Sequence, residues 1–235
     1  MIENLPPFVS IIFLITTLVT LALFYWVINS SSTETIRKKA SIILFGSIIW
    51  LFIQAVLTFN NFYNSNVNLF PPKIALFGVL PLIITIVLLF AKARGRKFID
   101  SLPLAKITYL HMLRIPVEIV LFCLFLNKAV PEVMTFAGRN FDIIAGLTAP
   151  LIAYYGFKKR ALNRKIILFW NFICLGLLVN IVVIAILSIP SPMQKFGFDQ
   201  PNIAVLNFPF SWLPTFIVPI VFFGHLVSIR QLLKK

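Results

Sequence analysis

Seven apolar stretches, at residues 8–28, 39–59, 72–91, 104–126, 141–157, 166–189 and 210–228, follow one another with only short polar connections between them. A bilayer core about 30 Å thick is crossed by roughly 20 residues of α-helix, and most of these stretches approach that length. A backbone in hydrocarbon must satisfy its own hydrogen bonds, so each stretch is expected to be a helix. The pattern predicts an all-α integral membrane protein, a single domain over residues 1–235 built of seven transmembrane helices. Connections this short leave no room for a soluble domain. Any site therefore has to be made from the helices and the loops at their ends.

The fourth stretch breaks the apolar pattern with His111, Arg114 and Glu118. At 100° per residue these three fall within an arc of about 60°, so one side of the helix is polar at its centre. That side is expected to face protein, because an isolated Arg or Asp at mid-helix costs about 2.5–3.5 kcal/mol in a bilayer. Arg114 and Glu118, one turn apart, can pair with each other. Pro116 withholds a donor from the carbonyl of Met112, leaving a bare acceptor beside Arg114. Intramembrane carboxylates are kept mainly for proton relays and ion pathways, which makes His111, Arg114 and Glu118 the candidate ligand-binding or proton-relay residues. The competing explanation is a structural ion pair. It is weakened by the small net stability that buried pairs give over apolar packing.

Charge orients the helices. Sixteen of the 21 Lys and Arg lie in the segments after the first, third, fifth and seventh stretches: Arg37 to Lys39, Lys92 to Lys106, Lys158 to Lys165, and Arg230 to Lys235. The other side keeps only Lys73, Lys128, Arg139 and Lys195. Basic loops stay cytoplasmic, so the N-terminus is expected outside and the C-terminus inside. The net charge of +14 would point to nucleic acid in a soluble chain; here it is a topology signal, and no nucleic-acid partner is expected. Hydrophobic residues make up 60% of the chain, charged residues 12%, and the mean hydropathy is +0.97, as suits a multi-pass protein of a cell membrane such as the bacterial cytoplasmic membrane. The start, MIENLPP, has an acid and no basic segment, so the first stretch reads as a retained anchor.

The third and seventh stretches share a spacing. Pro71 and Pro81 match Pro209 and Pro219, while Lys92, Arg96 and Lys97 match Arg230, Lys234 and Lys235 at the same offset. Ile42-Ile43-Leu44-Phe45 recurs as Ile166-Ile167-Leu168-Phe169 at another offset. A duplication of three helices around a central fourth, 3+1+3, would produce this. In architecture it resembles the small sugar transporters of the SWEET type, which have parallel repeats, seven spans and an outer N-terminus. The second stretch lacks the Pro-Gln pair of that superfamily, so the resemblance carries no site residue across.

Other polar residues at membrane depth, Gln54, Tyr154, Asn171 and Asn180, are candidates for lining a cavity, although interhelical hydrogen bonding explains each one alone. Glu132, Arg139 and Asp142, in the loop before the fifth stretch, form a candidate outer gate. Cys123 and Cys174 read as packing residues, and Trp26, Trp170 and Trp212 as interfacial anchors. No HExxH, His/Asp cluster or P-loop occurs, so no metal is expected, and the seventh stretch has no core lysine for a retinal Schiff base. No cofactor is predicted; haem held by His111 and His225 is the one alternative to weigh. The leading function is binding or passage of a small solute or protons. An enzyme acting on a lipid or isoprenoid, or a sensor or assembly subunit with a structural ion pair, would carry the same residues.

Overall fold

The computed structural model describes residues 2, 5–66 and 69–234; Lys235, counted above with the C-terminal basic residues, lies outside them. Among the described residues there is no strand. The helices of eight residues or more among the described residues are, in order, α1 (Pro7–Asn29), α2 (Glu34–Phe59, loosened at Lys38 and Lys39), α3 (Ala75–Ala91), α4 (Ala93–Asp100), α5 (Leu104–Leu126), α6 (Ile143–Lys158), α7 (Arg164–Leu187) and α8 (Leu213–Leu233). Helices α1, α2, α5, α7 and α8 are each long and apolar enough to cross a membrane. Counting α3 together with α4, to which it is bent by 92°, makes six, and α6 is apolar but shorter. Each of the seven apolar stretches thus contains a helix, but not every one reaches the length that hydropathy alone suggests.

Burial is distributed as lipid demands. Ile42, Phe45 and Phe52 on α2 and Phe169 on α7 are 65–70% exposed, while Thr16, Thr17, Thr20, Gln54, Thr58 and Asn171 are buried. Thr16, Thr17 and Thr20 on α1 donate to the carbonyls of Ile12, Phe13 and Thr16, so their hydroxyls are satisfied within the helix.

Proline breaks two helices in the same way. Helix α3 opens with a π turn, Ala75–Val79, and α8 with another, Leu213–Ile217; each ends two residues before a proline, Pro81 or Pro219. Proline cannot donate to the carbonyl four residues back, which frees the carbonyls of Phe77 and Thr215. Helix α2 takes both. Gln54 Nε2 donates to Phe77 O at 3.3 Å, and Trp50 Nε1 donates to Thr215 O at 2.8 Å. The π turns also meet each other, since a Cβ on Gly78 would lie 2.4 Å from Thr215 Cγ2.

Helix α4 folds back across the end of α3. A Cβ on Gly95 would sit 2.2 Å from Leu89 O, so only glycine permits this turn. The far end of α4 is tied to α8: Arg230 Nε is 2.9 Å from Asp100 Oδ1, Lys234 reaches Oδ2, and Gln231 Nε2 donates to the carbonyls of Ile99 and Leu102. Burial works to raise the Asp100 pKa, but the hydrogen bonds and charges of Arg230 and Lys234 outweigh it and hold the carboxyl below its ordinary value. A lowered native pKa means that the stabilisation is present above the ordinary carboxylate pKa and is lost as pH falls through the native one. Asp100→Asn is therefore expected to cost about 0.5–1 kcal/mol near neutral pH. Its melting temperature should converge on that of the wild type below about pH 4; a gap that persists in acid would show that the carboxylate is not responsible.

Candidate functional site

Helix α5 carries the site and is itself interrupted. Between its α-helical segments Leu104–Leu110 and Arg114–Leu126 lies one 3₁₀ turn, His111–Leu113. The turn includes Met112, whose carbonyl Pro116 cannot serve. Helix α6 comes up against this point almost backbone to backbone: a Cβ on Gly146 would lie 2.8 Å from Ile115 Cγ1 and 3.2 Å from Arg114 Cβ. Asp142 stands one turn before Gly146, which puts it within reach of Arg114.

Arg114, 3% exposed, organises a chain of hydrogen bonds through four helices. Its Nη1 donates to Asp142 Oδ1 at 2.7 Å and to the Cys174 carbonyl at 3.1 Å, and its Nη2 donates to His225 Nε2 at 2.8 Å. An arginine only donates, so His225 Nε2 must accept and the ring proton belongs on Nδ1. Nδ1 in turn donates to Asn171 Oδ1 at 2.9 Å, and Asn171 Nδ2 donates to Ile167 O at 2.9 Å. Every bond in this run has a consistent direction, from Arg114 on α5 to Asp142 at the start of α6, to His225 on α8 and on to Asn171 on α7.

Glu118 does not join that run. The Arg114–Glu118 pair that their spacing allows does not form, because Asp142 occupies the guanidinium from the neighbouring helix. Glu118, 1% exposed, instead has both oxygens 2.7 Å from Asn140 Nδ2. Asn140 Oδ1 accepts the backbone N–H of Asp142 at 3.0 Å, so one residue of the loop before α6 links the Glu118 carboxylate to the main chain at Asp142. This loop is sunk into the bundle: Glu118 lies eight residues, about 12 Å, inside the end of α5.

His111 is fully buried and differently placed. Its ring stacks on that of His225, with centroids 3.8 Å apart and planes at 16°, and Trp170 stands edge-on at 5.8 Å. Neither nitrogen of His111 has a hydrogen-bond partner, nor does Arg114 Nε. Stacked in this way, the two imidazoles do not oppose their nitrogens across an iron, so the geometry offers haem no axial pair.

The remaining candidates scatter. Asn171 joins the Arg114 chain through His225. Gln54 lies apart, bonded to Phe77 O and to the Tyr63 hydroxyl; Tyr154 sits under Lys158 and Lys159 at the end of α6; and Asn180 is exposed, donating to Arg139 O at 3.0 Å. Of the outer trio, Glu132 and Arg139 are exposed on the rim and Asp142 alone turns inward. Trp170, expected as an anchor, donates to Thr148 Oγ1 at 2.9 Å and packs against His111. Asn140 stood out in the sequence only as a polar residue, with Glu132, Arg139 and Asp142, among apolar ones in its loop; the Cys174 carbonyl had no distinguishing mark. His225 was visible as the second of only two histidines.

The chemistry on offer is specific. Arg114 and Asp142 are paired at 2.7 Å, while Glu118 and His111, a carboxyl and an imidazole, lie on either side of Arg114 along α5, about 10 Å apart in rise. Neither a curated protein nor a solved structure matches the chain. One family model does, over residues 71–233, the stretch that carries every residue of the Arg114 network, and the chain belongs to that family, described as Domain of unknown function (DUF8737).

Proposed function

We propose that the chain is a seven-span protein of the cell membrane, with its N-terminus outside and its C-terminus in the cytoplasm, that moves protons along the Arg114 network. The observation that carries this reading is His111: a buried imidazole with two unpartnered nitrogens, stacked on His225 midway along the hydrogen-bonded chain from Arg114 to Asn171. An unsatisfied buried polar group is costly, so its retention at mid-membrane calls for a mobile partner such as a proton or a water molecule. Glu118 is the outer station, reached past Glu132, Arg139 and Asn140. His111 is the inner station. Because stacked rings present no nitrogen to each other, His111 has to turn in its site to exchange a proton.

Helix α6 serves as a span in spite of its length because its outer end starts below the surface, where the sunken loop is enclosed by protein. The matching π turns of α3 and α8 support a 3+1+3 arrangement around α5. The orientation predicts that a reporter fused after residue 235 is active in the cytoplasm; activity only on the outer side would refute it. Function is tested in proteoliposomes loaded with a pH-sensitive dye: an imposed gradient should collapse with the wild type and persist with Glu118→Gln, whose amide still accepts from Asn140. Equal collapse in both would end the relay reading.

The enclosure of Arg114, Asp142, Glu118 and both histidines favours a second reading, a lock that holds α5 to α8 together. Unchanged flux with lowered stability in network variants is its signature. The lipid-enzyme reading finds no such support, since the lipid-facing cavity described next is lined by neither acid nor histidine.

A further inference from the structure

Helices α2 and α3 do not close on each other at the end where α4 lies. Between them, backed by α8, is a cavity of about 430 Å³ lined by Trp50, Phe98, Phe216 and Phe223 together with aliphatic side chains of α2 and α3. The volume is that of a small-molecule pocket. Its α8 wall is buried, whereas Gly46 on α2 and Thr85 on α3 are exposed, so the slot opens sideways toward lipid. The lining positions Ile43, Gly46, Ser47 and Trp50 form one face of α2, and Leu82, Thr85, Ile86 and Leu89 one face of α3. Followed one turn toward α4, the first face reaches Lys39, while Lys92 is the extended residue at which α3 ends and the chain bends into α4. On α4 itself, Arg94 is one turn from Phe98 on the same side. All three cations are exposed, and among the described residues none has a carboxylate within salt-bridge distance. Glu34 and Asp100, the nearest acids in sequence, are taken by Lys38, and by Arg230 and Lys234.

From this juxtaposition of an aromatic, laterally open slot with unpaired cations at its mouth, we infer that the cavity binds an anionic glycerophospholipid, one acyl chain between α2 and α3 and the phosphate on Lys39, Lys92 and Arg94. A tail alone would gain little over bulk lipid, which is equally apolar; charge complementarity at the mouth gives the site its selectivity. The inference stands apart from the proton relay, with which the cavity shares no residue.

The test uses the full chain, with Trp26, Trp170 and Trp212 replaced by Phe so that Trp50 in the cavity wall is the fluorophore, in zwitterionic nanodiscs doped with a small fraction of lipid brominated on its acyl chain. Brominated anionic lipid should quench tryptophan more than brominated zwitterionic lipid at the same fraction. Gly46→Leu fills the slot without a clash, since nothing lies within 4 Å of a Cβ built there, and should abolish the excess. Lys39→Gln and Arg94→Gln should each weaken the anionic preference about fivefold. Equal quenching by the two lipids, or an excess that survives Gly46→Leu, would overturn the inference. Native mass spectrometry of the wild type gives an independent reading: retention of one anionic lipid in preference to zwitterionic supports the site, and no preference overturns it.

Discussion

Arg114→Met is expected to destabilise the protein by about 3–5 kcal/mol, the largest effect of any single substitution in the network. It removes three donated hydrogen bonds at once and leaves the Asp142 carboxylate and His225 Nε2 buried without a donor, while the Cys174 carbonyl keeps only its bond within α7. Lysine does not rescue it, because a single ammonium cannot hold acceptors arranged around a planar fork. Adding Asp142→Leu should recover most of the loss, since an apolar pair in place of a buried ion pair is often neutral; the stranded His225 Nε2 keeps the recovery incomplete. Adding Glu118→Gln should recover nothing, since Glu118 holds Asn140 and not Arg114. Thermal unfolding of the four variants in detergent separates these outcomes. Rescue by the Glu118 change instead of the Asp142 change would show that Arg114 pairs with Glu118 and not with Asp142.

The second large effect is functional and runs the other way in stability. His111→Phe keeps an aromatic ring stacked on His225 while deleting two polar atoms that bond to nothing. Relief of unsatisfied buried groups is worth about 1–3 kcal/mol each, so the variant should be at least as stable as the wild type. Proton flux through it should fall to background, because the inner station is gone. A fully active His111→Phe would sink the relay. A variant weakened by more than about 1 kcal/mol would show that His111 is hydrogen-bonded in the folded protein.

The helices were legible in the sequence because an apolar run long enough to cross a membrane is a local signal that lipid does not override. Their ends were less so. The late start of α3 follows from Pro71 and Pro72, visible in sequence, but that of α6 follows from a loop drawn down by Asn140, and this bond depends on where Glu118 ends up. The site was half legible for the same reason. Desolvation singles out Arg114, Glu118 and His111 wherever they lie, and all three are buried. Partners are decided by helix packing. Glu118 was the natural choice by spacing, yet Asp142, 28 residues after Arg114, had the better position once Gly146 let the helices touch. Trp170 was misjudged because its depth along α7 says nothing about which way its ring turns.

The two carbonyls freed by Pro81 and Pro219 have a mechanical meaning. Gln54 and Trp50 stand one turn apart on a single helix and grip two different ones, with the Gly78–Thr215 contact closing the triangle. Helix α2 is thereby geared to both α3 and α8. A slip of α8 along α3 by one residue, about 1.5 Å, stretches and tilts the Trp50–Thr215 bond unless α2 travels with it. His225 rides on α8, so any displacement that resets its stack with His111 is transmitted through Trp50 to the helix that forms one wall of the lipid-facing slot.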